Sequence, residues 1–411
     1  MSRPGVEAQA PGRPVQLTAL YVPRVLCAFE TTGAQVFDLT LAGGRVTSIR
    51  PSAEPARGLL ISAPVEAHAH IDKNYTAIDT GGAQGDLFSA IARMEAHRAG
   101  WQAADIRQRM ERALHEAWRF GTRALRTHLD WGRAAPPPSL PVLQDLREQW
   151  QGRIELQFVS LTPLDMFADD EAGAQIAREV RRAGGVLGAF VYRNPNLPAK
   201  LERVFELALR HELMLDFHVD EGLDVEAQGL HQIAQLTLAH GMQGRVVCGH
   251  ACSLSAQPDA QAQATLALCA RAGVHLVALP STNLYLQGAW DRTPVQRGIT
   301  RLREARAAGV GVSLATDNVQ DAFYPYGGYD LIDAFALGTQ AAHLAPALDW
   351  IDTITTQPAQ ALKLAWDGRL KEGCPADLLC LSARNEYELI GPRTRTRQVL
   401  RAGRLLQETH P

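Results

Sequence analysis

Eight short apolar or β-branched runs recur through the middle of this chain, and amphipathic stretches separate most of them. The runs lie at 61–67 (ISAPVEA), 122–127 (TRALRT), 154–161 (IELQFVSL), 185–192 (GVLGAFVY), 213–219 (LMLDFHV), 245–249 (RVVCG), 273–279 (GVHLVAL) and 309–315 (GVGVSLA). Strands alternating with helices give parallel βα units, and near-continuous apolar runs suit strands covered on both faces. Between them, Leu201, Val204, Phe205, Ala208 and Leu209 recur at helical spacing, and Ala103–Phe120 reads as a second amphipathic helix. Gly121, Gly185, Gly273 and Gly309 each precede a run, as expected where a helix stops and a short loop begins. A closed (β/α)8 TIM barrel is the simplest α/β architecture; an open doubly wound sheet is the alternative.

The two ends read differently. Residues 16–60 alternate with period two around a Gly43-Gly44 turn, and 374–406 do the same. Neither end has enough strands for its own core, so they are expected to pair into a small β-sandwich domain formed by 16–60 and 374–411. The expected barrel covers 61–373, and the Pro/Gly-rich residues 1–15 form a flexible N-terminus. Loops are expected at the Pro136–Pro138 run and at 79–86.

A length of 411 residues suits such a barrel of about 250 residues plus an appended domain. A formal net charge of −3 argues against general affinity for nucleic acid or anionic membrane. No long apolar run suggests a membrane span, and the N-terminus has no hydrophobic stretch like that of a signal peptide. A cytoplasmic protein is the expectation. Six scattered cysteines, Cys248 and Cys252 included, read as reduced structural thiols.

Four features carry chemistry, each at the carboxyl end of a run. His68-Ala69-His70 closes the first, and residues i and i+2 of an extended chain face one side, so both imidazoles can address one ion. His218 ends the fifth, with Glu221 three residues on; His250 ends the sixth; Asp317 follows the eighth in SLATDN. Strand ends of a barrel converge on one mouth, where catalytic groups collect. Neutral imidazoles with one carboxylate suit zinc or ferrous iron, and such an ion activates water at neutral pH. Glu221 could move protons to a substrate, and His250 could polarise the attacking water. Lys73, one of four lysines, could bind a substrate carbonyl or oxyanion, or could simply pair with an acid. His128 could line the pocket or support its neighbours from behind.

The order H-x-H, His, His, Asp on the first, fifth, sixth and eighth strands resembles the amidohydrolase superfamily. It is closest to the cytosine deaminase branch and the N-isopropylammelide hydrolase relatives of that branch. The similar stretches include EAHAHIDK (66–73), RTHLD (126–130), DFHVDE (216–221), GRVVCGH (244–250), NLYLQG (283–288) and ATDNVQDAFYPYGG (315–328). The resemblance implies a (β/α)8 barrel and a hydrolase of non-peptide C–N bonds. It implies one divalent zinc or iron ion per chain, held by His68, His70, His218 and Asp317. It gives Glu221 the protonation of a ring nitrogen and His250 the support of the nucleophile. Asp317 would also accept a proton from the attacking water and pass it to the leaving amine. Binuclear relatives carry a carboxylated lysine on the fourth strand, and LGAFVYRNPN offers neither Lys nor Glu there, so the resemblance implies a mononuclear site.

The expected activity is metal-dependent deamination of a nucleobase-like or related nitrogen heterocycle. The alternatives are hydrolysis of an N-alkyl aminotriazine or cyclic amide and, in another class, a non-catalytic metal-binding scaffold. Cytosine deaminases read the pyrimidine edge with a glutamine after the third strand, where this chain has Thr162 and Pro163. Asn318 stands in place of their second acidic residue, and Phe323 in place of a tryptophan. The expected substrate contacts are Lys73, Leu87, Thr162, Asn318 and Phe323, in a pocket altered away from cytosine. The expected partner is a small heterocyclic substrate, without nucleic acid or membrane, in a homo-oligomer.

Overall fold

The computed structural model describes residues 14–82, 85–391 and 396–406. Most of the expected flexible N-terminus, residues 1–13, lies outside the described residues. Contacts divide the chain into two units: one takes in residues up to Val65, 117–123 and Leu331 onward, the other Glu66–Glu116 and Ala124–Asp330. The stretch 331–373, expected in the barrel, thus clusters with the terminal strands, because its helices follow the last barrel strand.

In the first unit the strands β1 (Val15–Tyr21), β2 (Val36–Ala42), β3 (Arg45–Pro51) and β4 (Gly58–Ser62) come from the N-terminal segment. The other unit's strands are β5 (Val65–Ala69), β6 (Ala124–Asp130), β7 (Glu155–Pro163), β8 (Val186–Val191), β9 (Leu215–Val219), β10 (Val246–His250), β11 (His275–Ala278) and β12 (Gly311–Leu314). The chain returns through β13 (Leu378–Leu381), β14 (Arg397–Arg401) and β15 (Arg404–Leu405). The terminal strands make one seven-stranded sheet in the order β15-β14-β13-β4-β1-β2-β3. Gly43 and Gly44 take φ of 58° and 77° between β2 and β3, the left-handed pair that a tight hairpin requires. One face of this sheet packs Leu17, Phe37, Leu39, Leu60, Leu378 and Leu400 into an apolar core.

The strands β5 to β12 form an eight-stranded sheet in sequence order, and its ladders run parallel from β6 to β12. A parallel bridge between Ala69 and Asp317 brings its two edges together. A near-closed barrel results, so the open doubly wound alternative does not hold. Every residue of β5, β6, β9 and β10 is buried, as strands covered on both faces require.

Three readings of the local sequence change. ISAPVEA is two strands: Ile61-Ser62 ends β4, and β5 starts at Val65 beyond Pro64, whose missing N–H interrupts the ladder. The helix Leu197–Arg210 buries Leu207 and leaves Leu209 38% exposed, so its apolar stripe sits slightly off the expected one. Before β8 the helix stop is Gly184 (φ 65°); Gly185 is needed because a Cβ there would stand 2.3 Å from the Phe158 ring. Among the described residues no helix is long and apolar enough to cross a membrane.

Candidate metal centre and active site

Register builds the site. In the β8–β9–β10 ladders His218 sits beside Phe190 on one side and Gly249 on the other. Gly249 leaves room for the His68 imidazole, since a Cβ there would come within 2.8 Å of the ring. His250, the last residue of β10, and Asp317, beyond the end of β12, take left-handed backbone (φ 69° and 63°), an uncommon conformation that clusters at functional sites. Asp317 is tied to the barrel by its N–H, which donates to the His68 carbonyl at 3.0 Å.

Four ligand atoms converge. His218 Nε2 lies 3.2 Å from both His68 Nε2 and His70 Nε2, and Asp317 Oδ1 lies 3.5 Å and 3.2 Å from those same two nitrogens. His68, His70 and Asp317 form a group whose ligand atoms could hold one ion, and His218 stands within 3.2 Å of both imidazoles of that group. All four residues are at least 96% buried, and Asp317 leaves both carboxylate oxygens without a hydrogen-bond partner. Such a set is costly unless something charged occupies its centre. Burial and mutual repulsion hold His68 and His218 neutral, well below the usual imidazole range, which is the ligating form. The His70 ring turns its Nδ1 to the His128 carbonyl (3.3 Å), leaving Nε2 to face the centre. His128 itself is fully buried and stacks on His68 at 3.9 Å. It lies behind the ligands and does not line the cavity.

Glu221 and His250 sit beside the ligands. Burial, reinforced by Asp317, raises the Glu221 carboxyl well above its ordinary range. Asp317 goes the other way: burial opposes its ionisation, but the close His70 ring and the other nearby imidazoles outweigh it and keep it below 3.8. Two carboxyl groups with diverging affinities are what separate acid and base roles require. An amide N–H of Asn283 donates to His250 Nδ1 at 3.0 Å, so the neutral ring carries its proton on Nε2. Burial lowers that imidazole to about 4.

The cavity in front of these groups measures about 200 Å³. His70, His218, Glu221, His250, Lys73 and Asn318 belong to its polar lining, as do Glu95, Arg98 and Asp130, and Leu87 and Phe323 line it as well. Thr162 does not. It lies in β7 between two residues that do, Leu161 and Pro163, and alternation turns it away, its hydroxyl donating to the Ser160 carbonyl at 3.2 Å. Lys73 bonds the Asp130 carboxylate at 2.8 Å, whose other oxygen faces Arg98 at 3.3 Å. Its ammonium also lies 4.9 Å from the Phe323 ring centre. Lys73 is therefore ion-paired and lines the cavity at once. Asn318 donates to Asp321 at 2.7 Å, which fixes its amide.

Several functional positions escaped the sequence reading. Ile91 and Met94 line the cavity beside the expected Leu87, all three from the helix Leu87–Arg98, which is N-capped by Asp86. Their i, i+4, i+7 spacing was a visible signal, but nothing in the sequence told a pocket wall from a core stripe. Asp130 and Arg98 were missed because their meaning depends on partners 32 or more residues away.

A model of the amidohydrolase family matches residues 102–407. The chain is 38% identical to a pterin deaminase of Rhizobium rhizogenes strain K84, an alignment covering 93% of this chain and 90% of that protein. It is 24% identical to an N-isopropylammelide isopropyl amidohydrolase of Pseudomonas sp. strain ADP, over 92% and 95% of the two chains. The crystal structure of a 5-methylcytosine deaminase from Klebsiella pneumoniae liganded with 5-fluorocytosine superposes with a TM-score of 0.84 at 26% identity, covering 96% of this chain and 98% of that one. With the barrel and its His/Asp cluster, these matches establish that the chain belongs to the amidohydrolase family.

Proposed function

We propose that this amidohydrolase is a metal-dependent deaminase whose substrate is a pterin-like ring, a fused bicycle carrying an exocyclic amine beside a ring carbonyl. The observation that carries the reading is the extended apolar wall in front of the His/Asp cluster. A ring lying among Leu161, Pro163, Phe190, Leu87, Ile91 and Met94, which all line the cavity, buries more apolar surface with two fused rings than with one pyrimidine. The 38% identity to a pterin deaminase over nearly the whole chain supports it. The ammelide hydrolase likeness at 24% is weaker, and Thr162-Pro163 supply no amide to read a pyrimidine edge. The spare carboxyl of Glu221 speaks against a non-catalytic scaffold, because holding an ion needs no fifth protonatable group there.

His68, His70, His218 and Asp317 would hold a single zinc or ferrous ion. When bound, that ion supplies a Lewis acid that acidifies water. Asp317, kept ionised, accepts the proton that the attacking water gives up. His250, with its proton on Nε2, donates a hydrogen bond to the nucleophile. Glu221, kept protonated, transfers its proton to the ring nitrogen next to the carbon under attack. That transfer neutralises the charge built up as the amine-bearing carbon becomes tetrahedral. Lys73 and Asn318 face the same cavity and bind the ring carbonyl, while Phe323 covers one ring face.

Steady-state kinetics on pterin, cytosine, isocytosine and an N-alkyl aminotriazine, followed by ammonia or alkylamine release, test the assignment. Pterin is expected to give the highest kcat/KM. A higher value for cytosine would remove the bicyclic reading, and alkylamine release as the best reaction would favour the triazine alternative.

A further inference from the structure

The barrel seam between β12 and β5 is held differently from the other strand junctions. Along Val65–Ala69 the described backbone pairing across it is the single Ala69–Asp317 bridge. The carboxylate of Glu66, 1% exposed, spans the rest of that level. It accepts the His68 N–H at 3.0 Å through Oε1. Through Oε2 it accepts the Thr316 hydroxyl at 2.7 Å and the Thr316 N–H at 3.2 Å. Glu66 precedes His68 by two residues on the same strand face, and Thr316 immediately precedes Asp317. The carboxylate thus joins the two backbone segments that deliver three of the four convergent ligands, His68, His70 and Asp317.

We infer that Glu66, with Thr316, is a positioning pair that fixes the distance between the β5 imidazoles and the Asp317 carboxylate, and so sets the affinity of the metal centre. Asp317 Oδ1 stands 3.5 Å and 3.2 Å from the β5 imidazoles across a seam with no ladder to hold that spacing. The buried Glu66 carboxyl, which accepts from the His68 N–H and from the Thr316 hydroxyl and N–H, ties the two segments together. Glu66→Gln keeps the shape but puts an amide NH2 against either the His68 N–H or the Thr316 donors. Thr316→Val removes the hydroxyl alone and leaves the N–H bond.

The inference rests on the His/Asp cluster being the metal centre, and the test separates the two. Zinc affinity of the chelator-stripped full chain is measured by competition with a chromophoric chelator. Circular dichroism and a thermal melt of each apo-protein are recorded alongside. Groups supporting metal ligands typically contribute 10- to 100-fold in affinity. Glu66→Gln is therefore expected to bind zinc roughly 10- to 100-fold more weakly than wild type while retaining a cooperative melt, with Thr316→Val in between. The double variant should lose less than the product of the two single losses, because the pair acts as one unit. Leu39→Ala, in the other unit, controls for general destabilisation: its melt should fall while its zinc affinity stays at the wild-type value. Wild-type zinc affinity in folded Glu66→Gln overturns the inference. If that variant does not fold, Thr316→Val binding zinc within twofold of wild type overturns it. A wild-type chain that took up no zinc would overturn the metal centre as well.

Discussion

The two sheets of this protein bury their side chains by different rules. In the seven-stranded sheet, β2 alternates half-buried and buried positions along its whole length, and the buried set is almost wholly apolar. In the barrel, β5, β6, β9 and β10 are buried at every position, and those positions include Glu66, His68, Arg126, His128, Asp216, His218 and His250. One sheet gains stability by removing hydrocarbon from water. The other spends part of its interior on polar groups that must be answered by partners, as the buried Arg126–Asp216 pair at 2.9 Å is answered. Where no hydrogen bond is made, as at both oxygens of Asp317, whose Oδ1 faces imidazole nitrogens instead, the group marks a place for a ligand. A buried polar residue in this chain is informative mainly through what fails to pair with it.

That contrast is sharpest at His218. Its removal should abolish stable metal binding and take turnover below detection, measured by elemental analysis and ammonia release. A His218→Ala protein holding a full complement of metal would remove the convergent cluster from the mechanism. Glu221→Gln should separate chemistry from architecture within the barrel: metal content and melting stay at wild-type values, while kcat falls roughly 10²- to 10⁴-fold, as expected for a lost proton donor. Near-normal turnover in the metal-loaded variant would contradict the acid role.

In the seven-stranded sheet the expected effects exchange places. Leu39 is 1% exposed in the apolar core, so Leu39→Ala should cost about 2–5 kcal/mol by denaturant unfolding while kcat/KM of the folded protein is unchanged. A large drop in kcat/KM at a temperature where the variant is folded would erase the distinction between the two regions. The smallest effect concerns pH. Burial raises the Asp321 carboxyl above its ordinary 3.8, although the Tyr324 N–H and Lys73 pull the other way. The folded state therefore holds this proton more tightly than the unfolded chain. Its contribution is complete below 3.8 and is lost as pH rises through the folded value. The unfolding free energy of wild type minus that of Asp321→Asn should accordingly decline as pH rises from about 4 toward neutrality. A difference that rose or stayed flat would show that hydrogen bonds outweigh burial at this loop.

Much of this was written in local pattern. The barrel strands were legible because a run covered on both faces cannot hide its hydrophobicity, and the observed strands start and stop within about two residues of most expected runs, an offset typical of element boundaries. The ligands were legible because imidazole, carboxylate and strand end coincide only where a site is being assembled. Thr162 was misplaced because a shift of one residue on a strand reverses the face, and the sequence does not say which of Leu161, Thr162 and Pro163 looks inward. Arg98 and Met94 were missed for a different reason: a charged or apolar residue on a helix reads the same whether it meets solvent, core or substrate, and the role of Asp130 at the end of β6 depends on Lys73 and Arg98.

The sequence by itself determined that eight parallel strands alternate with helices, that the termini make a separate sheet, and that four histidines, a glutamate and an aspartate sit at or near strand ends. These follow from period and residue type, which local chemistry controls. Tertiary structure alone decided that His68, His70, His218 and Asp317 meet at 3.2–3.5 Å, that Lys73 is both paired to Asp130 and open to the cavity, and that Glu66 spans the seam. Each of these depends on which distant strands become neighbours and in what register. Closure of a barrel sets that choice through the packing of all its strands together, and no single stretch of sequence encodes it.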